Sequence, residues 1–202
     1  FLDIIELYPG LAVDLPGFGK TKHFEFSMNP FEYAKYLDKI LPKEITTIVG
    51  HSFGGRIAVH MSLIRKIENL VLIGVPLISN TSNKKNLNKL YIYKFMNKLG
   101  IVSTDTIESI KNKSGSVDYR NSEGVMRDTL VKAVNDNLEK ELSMINSNVK
   151  LIWGEDDIEV PVSVAIKSNK LISNSELTII PNHGHNMLRS KSKSIYEVLN
   201  KL

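Results

Sequence analysis

The stretch Ile48-Val-Gly-His-Ser-Phe-Gly-Gly55 sets a serine between two glycines, just after an apolar β-branched run and just before residues with helical spacing. That is the pattern of a nucleophile elbow, in which a strand ends, one residue takes a strained turn that exposes its hydroxyl, and a helix begins at once. Gly50 and Gly54 are expected where strand and helix pass too closely for a side chain. The N–H of Phe53, at the helix start, is expected to face an oxygen that gains negative charge. A serine is a weak nucleophile near neutral pH, so Ser52 needs a base within hydrogen-bond reach and a carboxylate to orient that base. Trp153-Gly-Glu-Asp-Asp-Ile-Glu-Val-Pro161 offers Glu155, Asp156 and Asp157, and Pro181-Asn-His-Gly-His185 offers two imidazoles. The chemistry these residue types could perform together is acyl transfer through a covalent intermediate.

A second stretch, Asp14-Leu-Pro-Gly-Phe-Gly-Lys-Thr21, ends like a phosphate-binding loop but does not begin like one. Such a loop needs a glycine five positions before its Gly-Lys-Thr end, and that place holds Asp14, whose carboxylate would repel a phosphate. No helix follows at once either, since the next helix start is Asn29-Pro30, with Asn as cap and Pro at the first helical position. Nucleotide binding is therefore not expected.

The elements that would have to bring these residues together are legible as alternating patterns. Leu11–Val13, Ile45–Val49, Leu70–Ile73, Val149–Trp153 and Leu177–Ile180 are short apolar runs of the kind found in strands buried on both faces. Helical spacing covers Pro30 to Leu41, Phe53 to Lys66, Pro161 to Leu171 and Ser194 to Leu202. Alternation of this kind predicts an α/β fold, a mostly parallel sheet with helices on both faces placed there by right-handed crossovers. Residues just past the C-terminal ends of parallel strands meet in one crevice, which lets three distant segments share a site. From Pro76 to about Asn148 no strand pattern occurs. Helical stripes run instead through Leu87 to Leu99, Val125 to Val134 and Leu138 to Ile145, predicting a helical lid insertion over 76–148 with the core made of 1–75 and 149–202.

Composition narrows the function classes. The 202-residue chain has 42% hydrophobic and 24% charged residues, ordinary values for a globular domain. It has no cysteine, which excludes disulfides, thiolate metal sites and a cysteine nucleophile. Net charge is +4 and the pI near 9.1, but the lysines are scattered without a dense run, so neither nucleic acid nor a membrane is an expected partner. No apolar window reaches the ~18 residues of a membrane span, and no leader pattern is visible, which makes cytoplasmic location the expectation.

Four motifs in this order, Asp14-Leu-Pro-Gly-Phe-Gly19, Gly50-His-Ser-Phe-Gly54, Gly154-Glu-Asp-Asp157 with Pro161, and Gly184-His185, resemble the lid-bearing α/β-hydrolase fold family over nearly the whole chain. The resemblance implies that the Asp14 loop borders the active site. It also selects Asp157, three positions after the strand-ending glycine, as the acid, and His185, directly after Gly184, as the base. Ser52 would be the nucleophile and the Phe53 N–H one oxyanion donor, with no cofactor and no metal required. His51 is expected to point away from the nucleophile, and His23 and His60 to be ordinary surface or core histidines. The implied activity is hydrolysis of a small ester, lactone or related carbonyl substrate. The same fold also serves carbon–carbon bond hydrolases, cofactor-free perhydrolases and non-catalytic ligand binders. Family members carry further strands ahead of the segment that opens here at Phe1-Leu-Asp-Ile-Ile-Glu-Leu7, including one whose loop donates the second oxyanion N–H. The chain therefore reads as a fragment of a longer protein.

Overall fold

A computed structural model of the chain describes residues 10–78, 122–189 and 192–200. Its first element, α1 (Pro30–Ile40), starts as the sequence dictates: the Asn29 side chain accepts from the Glu32 N–H, Glu32 accepts from the Asn29 N–H, and Pro30 occupies the first turn. Both ends of this capping box satisfy backbone donors that the helix itself leaves unpaired. Then come β1 (Thr47–His51), α2 (Ser52–Ile64) and β2 (Asn69–Ile73). After the long connection follow α3 (Gly124–Val134), α4 (Glu139–Leu142), β3 (Asn148–Gly154), α5 (Val162–Leu171), β4 (Ser175–Ile180), a 3₁₀ turn at Met187–Arg189 and α6 (Ser192–Leu199).

The four strands lie in the order β1-β2-β3-β4 and are parallel throughout, with Gly50 opposite Leu72, Leu72 opposite Leu151, and Leu151 opposite Leu177. Alternate residues of each strand face opposite sides. Leu70, Leu72, Leu151 and Trp153 pack with Ala58 and Val59 of α2, Leu142 of α4, and Val164 and Ala165 of α5. Val71, Ile73 and Ile152 face the other way, onto Met187 and onto Ile195 and Leu199 of α6. Helices thus cover both faces, but by a different route from the one expected. Strands that follow one another in sequence order send every crossover of one hand past the same face, so α2 and α5 share a side. The second face is closed by α6, after the last strand.

The run Leu11–Val13 forms no strand. It is irregular, and Leu11 and Val13 are exposed. A three-residue run gains strand geometry only from a ladder partner, and among the described residues none lies beside it.

Within the expected insertion, residues 79–121, and with them the stripe from Leu87 to Leu99, lie outside the described residues. Of its described part, Leu77, Ile78, Leu138, Leu142 and Ile145 belong to the same apolar cluster as the sheet, and the Leu138 N–H donates to the Leu77 carbonyl at 3.0 Å. Helix α3 docks elsewhere. Its Thr129 hydroxyl accepts from the Met28 N–H at 3.3 Å and its Lys132 ammonium donates to the Ser27 carbonyl at 2.6 Å, which fixes α3 on the segment leading into α1.

Candidate active site

Ser52 sits where β1 passes into α2, with φ of +48°, one of two positive values among the described non-glycine residues. A left-handed conformation costs a residue with a side chain about 1–2 kcal/mol, and the surrounding close packing holds it. A Cβ on Gly50 would come within 2.6 Å of the Gly55 Cα, so strand and helix can touch only through these two glycines. A Cβ on Gly55 would meet Val75 Cγ1 at 2.9 Å, whereas one on Gly54 would meet nothing within 4 Å. The close approach expected at Gly54 therefore falls one residue later, because it is Gly55 that turns toward the sheet. The N-terminus of α2 carries no side-chain cap at His51, so the Phe53 N–H belongs to a first turn that no capping side chain closes.

The Asp14 loop borders the elbow. Phe18 stacks on Phe53 with ring centroids 5.3 Å apart, and Tyr33 meets the same ring edge-on at 5.3 Å. The Asp14 carboxylate accepts from the Lys20 N–H at 2.9 Å, which uses it to close its own turn around Gly19 at φ +56°. Met126 of α3 lies over Gly17, where a Cβ would come within 2.6 Å of its methyl carbon.

The other half of the site lies past β3 and β4. Asp157 is fully buried, and its two oxygens are divided between two tasks. Oδ1 accepts from the N–H groups of Glu159 and Val160 at 3.0 and 2.8 Å, and Oδ2 lies 2.8 Å from His185 Nδ1. Its neighbours Glu155 and Asp156 are exposed, their backbone N–H groups donating to the carbonyls of Ile180 and His183. His183 turns back on its own loop, with Nδ1 2.8 Å from the Pro181 carbonyl. Two glycines clear the ground for the pair. Gly74, at φ +54°, would with a Cβ approach His185 Nδ1 to 3.3 Å, and Gly154 would meet the Gly184 carbonyl at 2.6 Å.

His51 meets the loop that carries His185. Its Nε2 lies 3.0 Å from the His185 carbonyl oxygen, and the two imidazoles are 4.9 Å apart at 43°. No sequence pattern carries this contact, since it joins residues 134 positions apart. His60 is a core histidine, buried on α2 with Nε2 2.9 Å from Asp136 Oδ2. One turn earlier Arg56 donates to the Asp136 carbonyl, and burial pushes its guanidinium down to about 10 against the opposing pull of Asp136. Among the described residues no group of three or more acidic or histidine side chains is arranged to hold a metal, and no helix is long and apolar enough to cross a membrane.

A parallel sheet with a strained serine at one strand end and a His–Asp pair beyond two others defines the α/β-hydrolase fold. The chain has that fold, and the family model described as "Alpha/beta hydrolase family" matches residues 4–99, a range that holds Ser52 and Phe53 but ends before Asp157 and His185. Among solved structures it is similar to MenH from S. aureus, at 23% identity over 98% of this chain and 85% of that one, with a TM-score of 0.66. A lipase-esterase related protein from Clostridium acetobutylicum is 20% identical over 92% of this chain and 79% of its own, with a TM-score of 0.66. Est816, described as an N-acyl homoserine lactone degrading enzyme, is 20% identical over 91% of this chain and 78% of its own, with a TM-score of 0.63. No curated protein sequence matches the chain significantly.

Proposed function

We propose that the chain is a serine hydrolase that acts on a small ester, lactone or related carbonyl substrate. Ser52 is the nucleophile, His185 the base, Asp157 the orienting acid and the Phe53 N–H an oxyanion donor. The observation that carries the reading is the 2.8 Å contact between buried Asp157, which follows β3, and His185, which follows β4, beside the positive φ that Ser52 takes after β1. An ionised carboxylate can only accept, so the imidazole beside it carries its proton on Nδ1 and presents a lone pair on Nε2. Ser52 Oγ then attacks the carbonyl carbon as its proton passes to Nε2. The oxyanion forms against the Phe53 N–H, and the leaving group departs with the proton. Water, deprotonated by the same nitrogen, releases the acid and restores the serine.

The esterase-related and lactone-degrading proteins among the similar structures fit this substrate class. Ser52→Ala in the full-length protein is expected to lower kcat on short p-nitrophenyl esters by about 10⁴-fold or more and to abolish labelling by a fluorophosphonate. Turnover that survives the substitution refutes the assignment.

A further inference from the structure

The nucleophile and the base belong to opposite edges of the described sheet. Ser52 follows β1, His185 follows β4, and β2 and β3 lie between them. Neighbouring strands stand about 4.8 Å apart, so the two edges are separated by about 14 Å. The loop after β4 must therefore reach back over the ends of two strands, and both strand ends are built for it: Gly154 gives way to the Gly184 carbonyl, and Gly74 lies beneath the His185 imidazole. On the near side the loop is tied to β3, by the Asp156 N–H to the His183 carbonyl at 2.9 Å and by Glu155 Oε2 accepting from the Asn182 N–H at 3.4 Å. At the far end of the reach, the residue that meets it is the last one of β1, immediately before the nucleophile. A carbonyl oxygen only accepts, so the 3.0 Å contact makes His51 Nε2 the donor.

We infer that His51 is a positioning residue for the base: its Nε2–H clasps the His185 carbonyl to the nucleophile's own strand and so sets the register between imidazole and serine hydroxyl. This rests on the triad reading above. Because Ser52 and His51 are adjacent, any drift of β1 carries nucleophile and clasp together, which keeps their spacing to the base constant.

The test compares His51→Gln, whose amide reaches as far as Nε2 and donates, with His51→Met, which has the same length and no donor. His51→Met is expected to lower kcat about tenfold with KM unchanged, in line with the steep cost of a misplaced catalytic group, while His51→Gln stays within about threefold of the parent. Equal kcat in the two variants overturns the inference, and so does a loss that falls on KM. If His51→Met does not fold, His51→Phe replaces it, keeping ring volume without a donor. A readout independent of turnover is the downfield proton resonance of His185 Nδ1–H against Asp157, expected to be sharp in the Gln variant and broadened in the Met or Phe variant. The same line width in both overturns the clasp even if Ser52→Ala has shown the chain to be no hydrolase. Loss of activity in Ser52→Ala with full kcat in His51→Met leaves the proposed function standing and removes only the clasp.

Discussion

Among the described residues two buried histidines contact aspartates at nearly the same distance, His185–Asp157 at 2.8 Å and His60–Asp136 at 2.9 Å, and they stand in different surroundings. His60 projects from the middle of α2 against a loop that follows α3. Its partner is one-fifth exposed, Arg56 reaches the backbone of the same aspartate, and Phe31 meets the imidazole edge-on at 5.5 Å. His185 stands on a loop past a strand end, over a glycine, against a carboxylate with no exposure at all. The first arrangement ties a helix to a connection. The second brings the ring within 4.9 Å of His51, the last residue of the strand that Ser52 follows. A short His–Asp distance is thus no sign of catalysis by itself. What separates the pairs is where they stand: one lies between a helix and a connection, the other past the strand ends and against the residue that precedes Ser52.

The largest expected effect breaks the comparison at Asp157. In Asp157→Asn one oxygen still accepts from the Glu159 and Val160 N–H groups, so the loop keeps its shape, but the amide presents N–H to Nδ1 and forces the wrong tautomer on His185. Such a change in Ser-His-Asp enzymes lowers kcat by about 10⁴-fold. Steady-state kinetics with p-nitrophenyl acetate should show a loss of that order, with a urea midpoint close to the parent's. A loss below about tenfold would put Asp157 on the structural side of the comparison, with Asp136.

His60→Leu is the counterpart. It removes a hydrogen bond to a carboxylate in a mostly buried place, and such bonds contribute about 1.5–3 kcal/mol. Urea denaturation should show a loss of that size, and kcat of the folded variant should stay within about twofold. A large fall in kcat with the fold intact would make α2 a route from this pair to the elbow, and the two pairs would then not be independent.

The contrast also marks how far the sequence could be read. The strands β1 to β4 follow from dense β-branched runs bounded by turns, and the elbow follows from Gly50, Ser52 and the helix signal after them, because each is a local pattern with a local cause. Leu11–Val13 carries the same kind of pattern and forms no strand, since strand geometry depends on a partner that its own residues do not specify. Glu155, Asp156 and Asp157 are alike as residue types; the resemblance selects the third by its distance from Gly154, and the third is also the one that the loop buries. Gly54 and Gly55 are likewise adjacent and identical, and the face each presents is set by the pitch of α2. Asp136 as the partner of His60, and His51 as the partner of the His185 carbonyl, are contacts across 76 and 134 residues that no spacing encodes.

The smallest expected effect probes the rings beside the two pairs. Each imidazole has an aromatic neighbour at about 5 Å, Phe31 for His60 and His51 for His185, and geometry by distance alone makes them equivalent. They differ in chemistry. Phe31 offers His60 an edge-to-face attraction between rings, worth about 0.5–1.5 kcal/mol beyond area burial, and being half exposed, with the Lys35 ammonium 5.6 Å from its ring centre, it belongs at the lower end of that range. His51 offers a donor to the backbone of the base. Phe31→Leu keeps most of the apolar volume and removes the ring, so thermal unfolding should fall by no more than a few degrees, the shift that about 1 kcal/mol produces in a domain of this size. Turnover should not change, because nothing at the strand ends rests on that ring. A tenfold loss of kcat in Phe31→Leu would mean that an aromatic ring near a histidine is felt at the site wherever it lies, and the distinction between a structural and a positioning neighbour would fail.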